Sequence, residues 1–243
     1  MSVRWHSQPG PTDAARACAH HIVALLEDAL AGSDVVTLAL SGGASPKLLF
    51  QELVASKFRW DKVHLFWVDE RAVPPTHPQS NYLLALDSLI VPSHLPRRNI
   101  HRIPAELPPE MAAGQYVGDL RQFFGLDRDE LPHFDVVQLG MGADAHTASL
   151  FPGEPLIDDR EGVAAAVYSE TATQWRITLL PGVLLAAKHS VFLVTGADKA
   201  GAVRAVFHEE YDPKRYPAQV VSHHGRRVAW FLDAAAARFM EES

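Results

Sequence analysis

The chain has 243 residues, of which 47% are hydrophobic and 21% are charged, and its formal net charge at pH 7 is −7. This composition is typical of a globular protein with a sizeable core and argues against intrinsic disorder. The negative balance argues against a dedicated DNA-binding or RNA-binding protein, which needs a basic face, so we expect no nucleic acid partner. An anionic substrate would need a local pocket of positive charge.

The sequence also limits the compartment and the metal chemistry. A single cysteine, Cys18, excludes an internal disulfide and a CxxC redox pair. No apolar run approaches the roughly 18 residues that span a membrane, and the first residues lack the apolar core of a signal peptide. We therefore expect a cytoplasmic protein with no membrane partner. No HExxH motif or other metal-ligand spacing is evident, so we expect no metal.

Apolar periodicity and turn residues predict alternating helices and strands. In chain order they are a helix at 14–30, a strand at 35–40, a helix at 46–53, a strand at 63–68, helices at 81–89 and 110–124, strands at 134–139 and 163–168, a helix at 181–187, a strand at 190–195, a helix at 198–207, a strand at 228–232 and a helix at 234–240. The alternation predicts the α/β class, as a three-layer α/β/α architecture with a mostly parallel, Rossmann-like central sheet. No repeat or long linker interrupts it, so we expect a single domain over 1–243. Ligands of such sheets bind at the carboxyl ends of the strands, where three loops carry unusual residues.

The first of these loops has the sequence Ser-Gly-Gly-Ala-Ser-Pro and begins at Ser41. Gly42 and Gly43 allow the backbone to approach a ligand closely, and the free amides of the following helix favour an anion such as phosphate. Ser45 is a suitable N-cap and Pro46 a suitable first helical residue. The loop is not a Walker A motif, because the Gly-Lys-Ser/Thr ending is missing. A tight turn without a ligand is the alternative interpretation.

The second loop has the sequence Asp69-Glu70-Arg71. An arginine can hold a phosphate or a carboxylate in a bidentate fork. Asp69 could bind sugar hydroxyls or act as a base. The alternative is a solvated loop with a surface salt bridge, which would contribute little.

The third loop, 140–152, contains Gly140, Gly142 and Ala145 in the spacing of the dinucleotide fingerprint GxGxx(G/A). We reject that interpretation, because Pro152 and the residues after it would break the long helix that the fingerprint requires. His146 is the better candidate for chemistry. An unperturbed histidine has a pKa near 6.5, which suits a general base at neutral pH, and Asp144 stands beside it.

Two further segments carry basic residues that could serve an anion. Arg176 is expected at a strand start near the ligand. Lys199 is expected in the first turn of the helix at 198–207. A cation there is unfavourable for the helix dipole, which hints that Lys199 serves a bound anion. A solvated lysine is the alternative.

Taken together, six segments resemble the 6-phosphogluconolactonase family. They are SGGxSP at 41–46, DER at 69–71, SNY at 80–82, LGMGxDxHTASLFP at 139–152, RxT at 176–178 and GxxKA at 196–200. The related glucosamine-6-phosphate deaminases share the layout but typically carry Asp-Glu-Tyr in the second segment and Ile-Ala-Phe-Asn-Glu-Pro after the histidine. This chain has Arg71 in the second segment and Thr-Ala-Ser-Leu-Phe-Pro after His146, and both differences favour the lactonases.

The resemblance implies hydrolysis of 6-phospho-D-glucono-1,5-lactone to 6-phospho-D-gluconate, the second step of the oxidative pentose phosphate pathway, with no metal or organic cofactor. His146 matches the catalytic histidine of the family, and Arg71 matches an arginine associated with substrate binding. The catalytic set is therefore His146, Asp69 and Arg71. The substrate-binding and phosphate-binding set is Ser41, Gly42, Gly43, Ser45, Asp144, Arg176 and Lys199.

Two rival functions stay open at this point, an amino-sugar phosphate deaminase-isomerase and a non-catalytic sugar-phosphate sensor on the same fold. In every case the expected partner is a small sugar phosphate, and the protein is expected to be a monomer, with a weak dimer as the alternative. The chain departs from the family at Ala145, where glycine is usual, and at Leu180, where threonine is common. If position 145 needs a positive φ, alanine costs about 1 kcal/mol and could shift His146.

Overall fold

The structure, a computed structural model, describes residues 4–240, whose ten strands form two sheets. The strands are β1 (Arg4–Gln8), β2 (Val36–Leu40), β3 (Val63–Trp67), β4 (Asp69–Arg71), β5 (Ile100–His101), β6 (Val136–Leu139), β7 (Ala164–Ser169), β8 (Gln174–Leu179), β9 (His189–Val194) and β10 (Val228–Asp233). The larger sheet has seven strands in the order β1-β10-β9-β6-β2-β3-β5, and all of its pairs are parallel.

The helices that flank the sheets are α1 (Pro11–Leu30), α2 (Ala44–Ala55), α3 (Asn81–Ala85), α4 (Pro109–Phe124), α5 (Pro181–Ala186), α6 (Ala200–His208) and α7 (Gln219–His224). Helix α1 packs on α2 and on strands β9 and β10, whereas α4 packs on β7. Helix α3 continues into one π-helical turn at Leu86–Ile90. None of the helices among the described residues combines the length and the apolar character that a membrane span requires.

Apolar strands form the centre of the large sheet. Every residue of β2 and of β6 is buried, and β9 is buried after its first residue. Strands covered by helices on both faces are apolar throughout, which is the pattern that predicted them. The α/β class and the mostly parallel, three-layer architecture are therefore confirmed.

The smaller sheet was not predicted. Strands β4, β8 and β7 pair antiparallel in the order β4-β8-β7. The segment Asp69–Arg71, interpreted from the sequence as a loop, is thus a short strand, and Arg176 lies inside β8 rather than at a strand start. Three charged residues give no strand signal of their own, because the pairing partner lies about a hundred residues away in the chain.

Several short elements at the periphery also differ from the prediction. Strand β1 is polar and mostly exposed at the sheet edge, β5 has two residues and α7 has six, so none of them carries a usable periodicity. The segment 234–240, predicted as a helix, forms turns. The Asp233 carboxylate accepts the backbone N–H of Ala236 and that of Gly196, and seven residues are too few for alanine propensity to prevail.

Candidate active site

A cavity of about 410 Å³ opens at the carboxyl ends of β2, β6 and β9. Strands β2 and β6 are neighbours in the large sheet. The next strand of this sheet after β2 is β3, on one side of the pair, and the next after β6 is β9, on the other side. Open α/β folds bind ligands in the crevice where the strand order reverses in this way. Nine of the ten residues predicted for the site line this cavity: Ser41, Gly42, Gly43, Ser45, Asp69, Arg71, His146, Arg176 and Lys199. The tenth, Asp144, stands behind His146 and contacts it.

The loop after β2 presents helix α2 to the cavity. Gly43 has φ 118°, a value that L side chains rarely adopt, and it occupies the N-cap position of α2 with no side-chain cap. The first-turn amides of α2 therefore keep the capacity to bind an anion. Ser45 was expected to cap this helix and does not, because the helix already begins at Ala44. Its hydroxyl instead lies 2.7 Å from that of Thr195.

The hydroxyl of Ser41 is also occupied within the protein. It donates to the main-chain carbonyl of Gln138 at 3.1 Å, while the Ser41 amide donates to the Gln138 side chain at 3.2 Å. These bonds join the ends of β2 and β6 at the base of the cavity. Ser41 thus holds the loop in place, because both its amide and its hydroxyl are engaged within the protein.

His146 is oriented by Asp144. The two side chains meet at 2.6 Å between Nδ1 and Oδ1, and the same oxygen accepts the His146 amide at 3.2 Å. Partial burial raises the pKa of the Asp144 carboxyl, but the hydrogen bonds and charge of His146 outweigh it and hold that pKa at about 2. The carboxylate is therefore ionised at neutral pH, so Nδ1 carries the proton and Nε2 presents the lone pair.

The turn that carries this pair is tight. Ala145 has φ 64°, so the position where the family usually has glycine is indeed left-handed, and alanine occupies it with strain. The Gly142 amide donates to the His146 carbonyl at 2.9 Å. A Cβ on Gly142 would collide with the His146 ring and the Asp144 carboxylate, which explains why glycine stands there.

Pairing between β4 and β8 brings two arginines to one wall of the cavity. Arg71 lies directly opposite Arg176 in the antiparallel register. Arg71 Nη1 donates to the Gln79 carbonyl at 2.7 Å, and Arg176 Nη1 lies 3.9 Å from Asp69 Oδ2. Burial lowers the pKa of the Arg176 guanidinium, with the Asp69 charge acting in the opposite direction, yet a guanidinium remains protonated at neutral pH.

Asp69 is held from several sides. Its Oδ2 accepts the Ser149 hydroxyl at 2.7 Å, and its main-chain carbonyl accepts Asn81 Nδ2 at 2.8 Å. The side chain is almost completely buried at the cavity wall. This fixed carboxylate balances part of the charge of Arg176 and can accept a hydroxyl from a ligand on its other oxygen.

Glu70 supports the site without lining it. Its two carboxylate oxygens accept the amides of Arg71, Asn81 and Tyr82 and the hydroxyl of Ser80. Burial raises the pKa of Glu70, while these four bonds act in the opposite direction. The carboxylate thus ties β4 to the start of α3, where Ser80 accepts the Leu83 amide as the predicted N-cap.

Asn81 is the main cavity residue for which the sequence suggested no role. Its Oδ1 is shielded from solvent, has no hydrogen-bond partner among residues 4–240, and touches the position that a Cβ on Gly42 would occupy. The segment SNY drew attention to this residue only through the resemblance. A buried amide oxygen without a partner is uncommon and suits a ligand that brings a donor.

Lys199 lines the cavity from the segment that follows β9. It occupies the end of a 3₁₀ turn, Ala197–Lys199, directly before α6, so it lies one position ahead of the expected first helical turn. Its ammonium lies 3.2 Å from the exposed Asp198 carboxylate. Gly196, with φ 106°, lets the chain turn back toward the cavity. No group of three or more metal-ligating side chains is arranged to hold a metal within 4–240.

Comparisons with known proteins agree with this geometry. The family model described as glucosamine-6-phosphate isomerases/6-phosphogluconolactonase matches residues 9–230. A 6-phosphogluconolactonase from Nostoc sp. is 39% identical over 216 residues, 88% of this chain and 89% of the relative. The human 6-phosphogluconolactonase is 38% identical over 212 residues, covering 84% of this chain and 80% of the relative. The crystal structure of 6-phosphogluconolactonase from Leishmania guyanensis superposes with a TM-score of 0.87 at 27% identity and covers 100% of both chains. The chain therefore belongs to the family of glucosamine-6-phosphate isomerases and 6-phosphogluconolactonases.

Proposed function

We propose that the protein hydrolyses 6-phospho-D-glucono-1,5-lactone to 6-phospho-D-gluconate, the second step of the oxidative pentose phosphate pathway. The observation that carries the proposal is His146, whose Nδ1 is fixed by Asp144, in a cavity that also holds Arg71, Arg176 and Lys199. The curated relatives at 35–39% identity bear the name of this lactonase, which disfavours the deaminase alternative.

The phosphate group of the substrate is assigned to the loop after β2. The amides near Gly42 and Gly43 at the start of α2 provide hydrogen-bond donors, and Lys199 and Arg176 provide positive charge. Because the phosphate is remote from the reacting carbon, its binding energy holds C1 of the lactone close to His146.

Hydrolysis then needs one base and one site for negative charge. His146 Nε2 takes a proton from water as the water oxygen forms a bond to C1. The negative charge that develops on the carbonyl oxygen is stabilised by Arg71 or by a loop amide. The C1–O bond to the ring oxygen then breaks, and the imidazolium returns its proton to that oxygen. Asp144 stabilises the imidazolium between these steps, and Asp69 positions a sugar hydroxyl and Arg176.

This mechanism asks for no metal and no organic cofactor, because a lactone is an activated cyclic ester. No covalent nucleophile is required either. A single domain over 1–243, a monomeric state and a cytoplasmic location complete the proposal. Light scattering after size-exclusion chromatography distinguishes the monomer from a weak dimer.

The decisive experiment replaces the base. The rate of hydrolysis of freshly generated lactone is measured for the wild type and for His146→Ala, with the spontaneous opening subtracted. General base catalysis contributes about 10²–10⁴-fold, so His146→Ala is expected to lose at least about a hundredfold of the enzyme-dependent rate. His20→Ala, an exposed histidine on α1, is the control and should keep the full rate.

A His146→Ala rate close to that of the wild type would refute the assignment of the base. A folded wild type with no rate above the spontaneous background would refute the lactonase itself. In that case release of ammonia from glucosamine 6-phosphate tests the deaminase, and saturable binding of 6-phosphogluconate without turnover indicates the sensor.

A further inference from the structure

A second cavity, of about 490 Å³, lies at the amino-terminal edge of the large sheet. The strands of that sheet are parallel, so the first residues of β1, β9 and β10 meet at this edge, opposite the cavity of His146. Those first residues are Arg4, His189 and Val228, and all three line the second cavity. Helices α1 and α7 contribute His21 and Ser222 to the lining, and the loop between α7 and β10 contributes Arg226 and Arg227.

The lining is strongly basic. It includes Arg4, Arg226 and Arg227 together with the imidazoles of His21 and His189, and no lining residue is a carboxylate. None of the three arginines makes an ion pair within the described range 4–240. All three arginines are exposed, and in a chain whose net charge is −7 their grouping forms a local patch of positive charge that attracts anions.

The half-buried histidines His21 and His189 both have lowered pKa values, and burial is the largest cause for each. Burial lowers the pKa of His189, and the charge of Arg227 lowers it further, while Asp135 and Asp28 act in the opposite direction. Asp135 is already engaged by Lys188 at 2.7 Å. Arg227 Nη1 lies 3.4 Å from His189 Nε2, so the neutral ring can accept a hydrogen bond from the guanidinium. An incoming anion would relieve the crowding of positive charge.

A buried hydroxyl supplies an independent indication. Ser222 lies on α7 and lines the cavity, and it is only 2% exposed. Its Oγ has no hydrogen-bond partner among the described residues. Buried hydroxyls are nearly always paired, so a free one at the wall of a basic cavity is suited to a ligand oxygen.

We propose that this cavity binds a small phosphorylated molecule. Arg4, Arg226 and Arg227 hold the phosphate, since a guanidinium binds phosphate oxygens in a bidentate manner, and Ser222 donates one further hydrogen bond. Leu25 and Val228 provide an apolar surface for the rest of the ligand. The concave shape and the volume fall in the range of small-molecule sites, about 300–1,000 Å³, and differ from the extended basic stripe that nucleic acids require.

The test uses ATP and inorganic phosphate as probes and follows the histidine ring signals by NMR. ATP is expected to shift the signals of His21 and His189 along a saturable curve, and phosphate to shift the same signals more weakly. Signals of His146 report separately on the other cavity. Arg227→Gln is expected to weaken ATP binding at this site about tenfold or more, because a charge-assisted bond is lost.

Arg59→Gln is the matched control, because it removes the same charge from an exposed arginine on the surface. It should bind ATP as the wild type does, and both variants should keep the full rate of lactone hydrolysis. The proposal is overturned if only His146 signals shift, if the shifts of His21 and His189 stay linear with ATP, or if the two variants bind equally. Binding of a DNA duplex of about 20 base pairs where ATP has no effect would also overturn it, in favour of a nucleic acid surface. These outcomes are independent of whether the protein is a lactonase.

Discussion

Asp144 determines which nitrogen of His146 is available to a substrate. Its pKa of about 2 keeps the carboxylate ionised, so its bond to Nδ1 is present above the ordinary aspartate range and is lost only as the pH falls through about 2. Asp144→Asn keeps the shape but removes the charge that stabilises the imidazolium. We expect kcat to fall at least about tenfold while KM changes little, because the interaction is strongest in the transition state.

The control for that variant is Asp61→Asn, which makes the same chemical change at an exposed residue whose carboxylate lies 3.8 Å from Arg59. Steady-state kinetics of both variants test whether the charge of Asp144 contributes to kcat. A kcat of Asp144→Asn equal to that of Asp61→Asn would mean that Asp144 only closes the turn.

Ala145 carries backbone strain beside His146. Its φ of 64° costs an L residue about 1–2 kcal/mol relative to glycine. Ala145→Gly relieves this strain but removes a buried methyl group and adds freedom to the unfolded chain. Ala105→Gly, at a buried alanine without a positive φ, has only the unfavourable terms. Urea denaturation should therefore show that Ala145→Gly costs about 1 kcal/mol less than Ala105→Gly, and equal losses would mean that the turn is unstrained.

At the scale of elements, the small antiparallel sheet explains how distant residues reach one site. Arg71 and Arg176 face each other only because β4 pairs with β8. The sequence placed both residues at the site through the family resemblance, but it could not predict their register. Strand β4 consists of three charged residues, and the apolar alternation of β8 does not specify which strand it pairs with. The sequence also could not predict the role of Glu70, whose carboxylate accepts three backbone amides and one serine hydroxyl.

The parts of the fold that sequence predicted well are those with a local physical signal. The apolar runs of β2, β6 and β9 predicted buried parallel strands, and Ser80 predicted the start of α3. Strand β1 has no such local signal. Its polar residues form a strand only through parallel pairing with β10. The second basic cavity was not predicted from the sequence, since its arginines and histidines come from four separate segments of the chain.

A histidine pair at the sheet edge makes stability depend on pH. His64 on β3 and His101 on β5 meet at 2.9 Å between Nδ1 and Nε2, and His101 stacks on Phe66. Burial, followed by the charge of His64, lowers the pKa of His101 to about 4, and burial also lowers that of His64, with Arg98 adding to the effect. The folded protein thus binds fewer protons than the unfolded chain between about pH 4 and about pH 6.5, so stability is lost as the pH falls through this window.

His101→Gln should remove part of that dependence. We expect the difference in the free energy of unfolding between about pH 7.5 and about pH 5 to shrink by on the order of 1 kcal/mol, a figure reduced for partial solvent screening. His20→Gln, at an exposed histidine, should leave the difference unchanged. Denaturant titrations at both pH values provide the measurement, and an unchanged difference in His101→Gln would show that the pair does not couple to folding.

At the scale of the whole molecule, the parallel sheet separates two basic sites by the length of its strands. The carboxyl edge holds His146 with Arg71, Arg176 and Lys199, and the amino edge holds the second cavity. Because the net charge of the whole chain is −7, both places are local exceptions. An anionic substrate approaching an acidic protein is therefore guided by local rather than overall charge.

Ligand binding at either cavity can be measured as a rise in the stability of the folded protein. A ligand that binds only the native state at a hundred times its Kd stabilises it by about 2.7 kcal/mol. The product 6-phosphogluconate should raise the Tm in this way, whereas gluconate at the same concentration should have a much smaller effect because it lacks the phosphate. Lys199→Gln should remove most of the rise, and Lys62→Gln, on the 3₁₀ turn before β3, should keep it. Equal Tm values with 6-phosphogluconate and with gluconate would show that the cavity of His146 does not recognise the phosphate group. A rise that survives in Lys199→Gln but disappears in Arg227→Gln would place the binding at the amino edge instead.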